Sequence, residues 1–301
     1  GSRPPQVLDN PGWLKPFEPF AQAFGVPGSD EADPTPVLAV VVPLLFGYMF
    51  GDLGQGLVLF ALGWHLRRRY PPAAILLPAG LSAMVFGVLF GSLFAREDLI
   101  PALWLHPLSQ PILILAVPLV FAVGLLSFGQ LLAGLGALWR GELVRWVSTD
   151  LGFLVAYLGL VAWLAGVVDS GAIALIGAGW YLLGSFLVHR RLVGTLTALG
   201  HLVEGGMQLL VNTLSFARVG AFALAHAALC AAVVTMADAA PLWAGVLIMV
   251  LGNLLVIALE GLVVSIQTTR LVLFEFFNRF LRGSGRVFRP LPTPPALGAA
   301  A

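Results

Sequence analysis

Hydrophobic positions in this chain come in long blocks separated by short polar connections. Blocks fall at about 36–50, 53–68, 72–94, 111–138, 148–168, 171–189, 203–237 and 241–280. Neither the two-residue period of a half-buried strand nor a single apolar stripe of 3.6-residue period is sustained within them. Such blocks read as helices that are apolar on most sides, the form a chain takes when its solvent is a bilayer. The stretch 36–66 as one helix would be ~46 Å long, well beyond a ~30 Å hydrocarbon core. Gly51-Asp52-Leu53-Gly54-Gln55-Gly56 breaks it, which predicts a tight hairpin of two short spans. The expected fold is therefore all-α and polytopic, with eight transmembrane helices.

The last two blocks are the longest. No proline lies between Pro118 and Pro241, or between Pro241 and Pro290. Residues 203–237 and 241–280 can each form one continuous helix, ~52 and ~60 Å long. Helices of that length overshoot the bilayer, which predicts that the last two are highly tilted or project from it.

Composition agrees. Of 301 residues, 59% are hydrophobic and only 10% charged, with a mean hydropathy of +0.94. No soluble domain of this size hides so much apolar surface. A net charge of +1 points to no nucleic-acid partner, and the single Cys230 excludes an internal disulfide or a cysteine-based metal cluster. No cofactor or metal is expected. Residues 1–35 are polar and proline-rich and read as a cytoplasmic or interfacial segment; 36–281 form the membrane domain; 282–301 form a basic cytoplasmic tail. The N-terminus has no signal-peptide pattern, and the chain reads as the C-terminal part of something longer.

Charge orients the spans. Arg67-Arg68-Arg69, then Arg140 and Arg145, then Arg190-Arg191, then Arg279, Arg282, Arg286 and Arg289 occupy every second connection. The others hold Arg96, Glu97, Asp98, Asp169 and Asp238. By the positive-inside rule the basic side is cytoplasmic, and eight spans put both termini there. A seven-span reading would place the N-terminus outside.

The candidate chemistry concentrates in the last two helices. One carries Glu204, Gln208, Arg218 and His226; the other carries Glu260, Gln267, Arg270 and Glu275. Ionisable groups inside a membrane are expensive, and they usually line a water-filled path or face a partner charge. With the two helices antiparallel, Arg218 and Arg270 meet near mid-membrane. Glu204, Gln208 and Glu275 lie to the cytoplasmic side of the pair, and His226 and Glu260 to the outer side. The layout suggests two proton-accessible half-paths separated by a fixed positive barrier. Blander readings stand beside it. Asp52 can simply cap the hairpin, His226 can be a packing residue, and Glu260 can pair with Arg270.

These residues also carry a resemblance. NTLSFARVGAFALAH and LEGLVVSIQTTRLVLFEFFNRFLRGSGRVFRP are similar to the two arginine motifs of subunit a (subunit I) of rotary V-type and A-type ATPases. FGYMFGDLGQG, FGSLF and DPTP resemble further signatures of that family, and all occur in its order. The resemblance implies the family's C-terminal membrane domain without its soluble N-terminal half, in a prokaryotic plasma membrane. It implies a stator subunit with no catalytic site of its own, set beside a rotating ring (the c-ring) of small subunits. Arg218 and Arg270 would attract each passing ring carboxylate and so make it give up its proton to a half-path. Glu204, Gln208 and Glu275 would line the cytoplasmic half-path; Glu260, His226, Asp52 and Gln267 would line the outer one. Partners would be the ring, the central-stalk cap, the peripheral stalks and the lipid bilayer. Some relatives carry His where this chain has Gln267. The competing reading is a secondary transporter with its own substrate cavity, which inverted repeats and matched helix breaks would signal; the one clear break, near 51–56, has no counterpart.

Overall fold

The computed structural model describes residues 11–12, 14–18, 35–167, 169–189 and 192–277. Most of the N-terminal segment, Arg190-Arg191, and the tail with Arg279, Arg282, Arg286 and Arg289 lie outside the described residues. Among the described residues ten α-helices follow in order: α1 Thr35–Met49, α2 Leu53–Leu66, α3 Leu76–Phe90, α4 Pro111–Trp139, α5 Leu143–Ser148, α6 Asp150–Leu164, α7 Ser170–His189, α8 Leu192–Ser215, α9 Ala217–Ala239 and α10 Leu242–Leu271. A 3-10 turn at Pro71–Ile75 leads into α3, and a π-helical stretch, Val272–Phe277, follows α10. No strand occurs among the described residues.

Among the described residues six helical segments are long and apolar enough to cross a membrane: Pro71–Phe90, Pro111–Trp139, Leu143–Leu164, Ser170–Val188, Thr197–Ala239 and Leu242–Glu275. The protein is a multi-pass membrane protein. The first two apolar helices are shorter, 15 and 14 residues, or ~22 and ~21 Å.

The break at 51–52 is real, but the hairpin is not tight. α1 and α2 pack on α3 rather than on each other. Gly47 of α1 meets Ser82 and Tyr48 meets Phe86 and Phe90 edge-on, while Gly56 of α2 meets Gly80 and Gly63 meets Leu76. So α1 runs parallel to α3 and α2 antiparallel to it. Small residues at these crossings let the backbones approach closely, the packing open to helices that lipid cannot drive together. At the turn, a Cβ on Gly87 would collide with the backbone of Asp52 and Leu53.

The penultimate helix departs more from expectation. It starts at Leu192, not near 203, and it is interrupted at Phe216. Phe216 donates its N–H to Thr213 O (3.1 Å) and Val219 donates to Phe216 O (2.9 Å), the three-residue spacing of a 3-10 turn. Phe216 is fully buried, so a bulky aromatic anchor replaces proline as the local cause. The last helix likewise passes into a π-stretch at Val272.

Helices α1, α3, α4, α9 and α10, with Leu59 of α2, enclose one core in which Phe50 and Phe216 are fully buried. A second cluster of Leu126, Phe153, Leu154, Tyr157 and Leu209 attaches α6 to α4 and α8, and Tyr157 Oη meets Thr213 Oγ1 at 2.6 Å. Pro118 inside α4 removes the N–H that Ile114 O would accept four residues on. Tyr48 Oη–H donates to that carbonyl instead, at 2.9 Å. Large apolar side chains point outward along α7 and α10 (Leu175, Leu183, Leu187, Val250, Leu254, Leu262), which a bilayer tolerates and water does not.

Sidedness can be checked between connections. Arg96 and Asp238, both assigned to outer connections, form an ion pair of 2.6 Å. The turn at Lys15–Phe17 packs against Pro71–Ile75, the segment that follows Arg67-Arg68-Arg69. Its Phe17 belongs to the main core, so this part of the N-terminal segment is docked on the bundle.

Candidate functional site

The nine residues singled out in the sequence fall into two clusters, one clamp and two exposed charges. The first cluster surrounds Arg218. Its guanidinium donates from Nη1 to Gln267 Oε1 (3.3 Å) and from Nη2 to Ser215 Oγ (3.4 Å). Both acceptors are neutral, and no carboxylate forms an ion pair with Arg218 among the described residues. Ser215 Oγ–H donates in turn to Glu275 Oε1 at 2.8 Å. Asn212 Nδ2 donates to Glu275 O (3.4 Å) and Gln208 Nε2 to Asn212 Oδ1 (3.5 Å). A polar ladder therefore runs from Gln208, through the helix break, to Arg218 and Gln267. The break puts Ser215 at the end of α8 and Arg218 in the first turn of α9. The π-stretch carries Glu275 past the end of α10. Both irregular backbones adjoin the one arginine.

The second cluster lies two turns further along α9. His226 Nδ1 meets Glu260 Oε2 at 2.5 Å, and His226 Nε2 meets Cys230 Sγ at 3.7 Å. Gln55 Nε2 approaches Cys230 Sγ (3.7 Å) and donates to Asn253 Oδ1 (2.9 Å). Phe50 packs against the imidazole in a tilted arrangement, with a centroid distance of 4.8 Å. Glu260 is thus the partner of His226, not of Arg270.

Asp52 is the clamp. Its carboxylate accepts from Gln55 N (2.9 Å), Ser92 Oγ (2.6 Å), Phe94 N (3.0 Å) and Ala95 N (2.8 Å). It is fully buried. Phe94 and Ala95 hold φ of 48° and 69°, a left-handed conformation that costs a non-glycine residue about 1–3 kcal/mol unless neighbours impose it. The carboxylate imposes it by collecting their N–H groups, so Asp52 caps α2 and fixes the loop after α3.

Arg270 and Glu204 are exposed and have no hydrogen bond or ion pair among the described residues. Arg270 stands one turn beyond Gln267, so it neighbours the arginine cluster along the helix. It also continues an exposed stripe on α10: Leu255, Leu259, Leu262, Ile266. Arg218 heads a comparable stripe on α9, where Ala221, Ala225, Ala228 and Ala232 are all exposed.

Ser215, Asn212, Gln55 and Asn253 were missed from the sequence. Ser215 had a readable signal, since it stands three residues before Arg218 on a predicted helix, where side chains meet. Gln55 and Asn253 had none, because their bond joins elements 198 positions apart.

Comparison with known proteins follows the same lines. Residues 2–72 match the V-type ATPase 116kDa subunit family. A-type ATP synthase subunit I of Thermococcus kodakarensis is 30% identical over 95% of this chain and 47% of its own length. The proteins of the same name from Aeropyrum pernix and Halobacterium salinarum are each 27% identical over 95% of this chain and 51% of their own length. The chain spans about half the length of the curated relatives it matches.

Proposed function

This chain belongs to the family of subunit I, or subunit a, of rotary V/A-type ATPases, and from that premise we propose that it is the stator membrane domain against which a ring of carboxylate-bearing subunits turns. The observation that carries the proposal is the state of Arg218. An arginine cannot discharge itself by losing its proton. Within a membrane protein such a group usually lines a water-filled path or faces a partner charge, yet among the described residues only the Gln267 and Ser215 oxygens hold it. Its charge is kept for a partner outside the chain. The exposed stripes on α9 and α10, headed by the two arginines, offer the face on which that partner would sit.

A ring carboxylate brought within a few ångströms of a guanidinium favours its ionised form, lowering its pKa by ~1–3 units. It gives up its proton beside the arginines and must regain one before it faces lipid. Glu204, Gln208 and Glu275 serve the cytoplasmic half-path, a role supported by the ladder from Gln208 to Arg218. Glu260 and His226 serve the outer half-path, supported by their short contact on the far side of Arg218. Gln267 orients Arg218, and Asp52 holds the loop that closes the outer end. In this reading α1 and α2 complete an eight-helix membrane domain. Both termini are cytoplasmic in the prokaryotic plasma membrane, nucleotide chemistry belongs to partner subunits, and the peripheral stalks attach through segments outside this chain.

The test is ATP-driven acidification by the reconstituted complex. Arg218→Ala and Arg270→Ala are each expected to abolish pumping while the complex still assembles. Pumping retained in both variants would sink the proposal, and solute movement by the isolated chain would instead favour a secondary transporter.

A further inference from the structure

We propose that Gln55 is a positioning residue of the outer half-path, its side-chain oxygen holding a water that carries protons between the loop after α3 and the His226–Glu260 pair. The inference rests on the reading above, in which His226 and Glu260 serve the outer half-path. Gln55 is fully buried, and its Oε1 accepts no hydrogen bond among the described residues. The amide cannot turn over to relieve this. Asn253 Nδ2 donates to Met249 O (2.9 Å) and Phe94 O (3.4 Å), which leaves Oδ1 as the acceptor of that amide. Gln55 Nε2 donates to this Oδ1 at 2.9 Å. Exchanging the Gln55 oxygen and nitrogen would set two carbonyl oxygens against each other. The neighbours therefore impose the unmet acceptor. A buried acceptor left without a donor costs about 1–3 kcal/mol, and buried water is the ordinary way such a group is satisfied.

The place of this oxygen suits conduction better than packing alone. On one side Asn253 joins Gln55 to Phe94 O, in the loop whose backbone Asp52 holds. That loop also carries Arg96, whose ion pair with Asp238 is partly exposed. On the other side Cys230 Sγ lies 3.7 Å from Gln55 Nε2 and 3.7 Å from His226 Nε2, and His226 Nδ1 meets Glu260. Polar groups thus run from the loop to Glu260, with Gln55 as the middle member. Gln55 is also the member that cannot pass a proton unaided, since a carboxamide has no titratable proton and its oxygen only accepts. A water on Oε1 supplies the carrier. It donates one O–H to the amide and keeps its other hydrogen and a lone pair for the path. It releases a proton toward His226 as it takes one from the outer side, so it is unchanged after each passage. The titratable groups around Gln55 are Asp52 at the head of α2, Cys230 and His226 of α9 and Glu260 of α10. Helix α3, on which α2 packs, has none.

The experiment uses the intact complex in proteoliposomes, with assembly checked on native gels and ATP synthesis driven by an imposed proton gradient as the readout. Gln55→Met keeps the length of the side chain and removes the acceptor. At limiting outer proton concentration the rate is expected to fall about tenfold, and to recover when the outer pH is lowered by about one unit, the tenfold rise in protons that offsets slower entry. Its dependence on cytoplasmic pH is expected to stay unchanged. Gln55→Glu keeps an acceptor oxygen at the same place and is expected to retain most of the rate. A loss in Gln55→Met that is equal at every outer pH, as a packing defect gives, overturns the proposal. So does Gln55→Met working at the unmutated rate. A second arm needs no variant. In a density map of the intact complex that resolves ordered waters, one is expected ~2.5–3.0 Å from Gln55 Oε1; an empty site or a protein donor there overturns the proposal. An unmutated rate in the double variant His226→Ala, Glu260→Gln overturns the underlying reading instead, so the two failures are separable.

Discussion

At the scale of single residues, several polar groups repair defects of the backbone. Tyr48 supplies the hydrogen bond that Pro118 denies Ile114 O. Tyr48→Phe should leave that buried carbonyl unpaired, a loss of about 1–3 kcal/mol. In a Pro118→Ala background the backbone N–H returns, and the same change should cost clearly less. Thermal unfolding of the purified complex in detergent, run on both pairs, checks the coupling. Asp52 is a parallel case. The sequence left it open between a half-path group and a turn cap; four hydrogen bonds and complete burial favour the cap. The arginine motif could be read from residue type and spacing alone. The partners that hold it could not, because Glu275 reaches Ser215 from an element 60 positions away.

At the scale of elements, the apolar blocks located the helices well. The breaks at 51–52 and near 240 were legible because glycine and proline punctuate the chain there. The break at Phe216 was not, since nothing in Thr-Leu-Ser-Phe-Ala-Arg forbids a continuous helix. It is set by packing, with Phe216 driven into the core beside Phe121. The nearness of α1 and α2 was also overestimated, because α3 supplies the surface each prefers. Gly87 is the tightest point of that arrangement. Gly87→Ala must push α3 away from the 52–53 turn, and overpacking of this kind costs roughly 1–3 kcal/mol. Gly124→Ala meets open space and should be neutral or slightly stabilising. Unfolding midpoints in detergent separate the two.

At the scale of the whole molecule, the loop charges predict that the connections sort onto two faces. Arg96 and Asp238 meet across 142 positions, and Lys15–Phe17 docks beside the segment that follows the first arginine cluster. Cys230 is buried, so it gives little background for thiol labelling. Arg68→Cys and Arg145→Cys should react with an impermeant maleimide from the cytoplasmic face only, and Asp98→Cys from the opposite face only. Labelling of both groups from one side would overturn the topology.

The sequence by itself determined the membrane class and the positions of most helices, and it predicts the sidedness of the loops and the two arginines as the centre of the chemistry. Each depends on local quantities: hydropathy, glycine and proline, and the cost of burying charge. Tertiary structure alone decided which groups the arginines and acids touch. Glu260 pairs with His226, Gln267 and Ser215 hold Arg218, and Asp52 binds the loop after α3. Those pairings follow from how helices distant in sequence pack, and hydrophobic burial inside a bilayer is too uniform along these helices to encode their rotation.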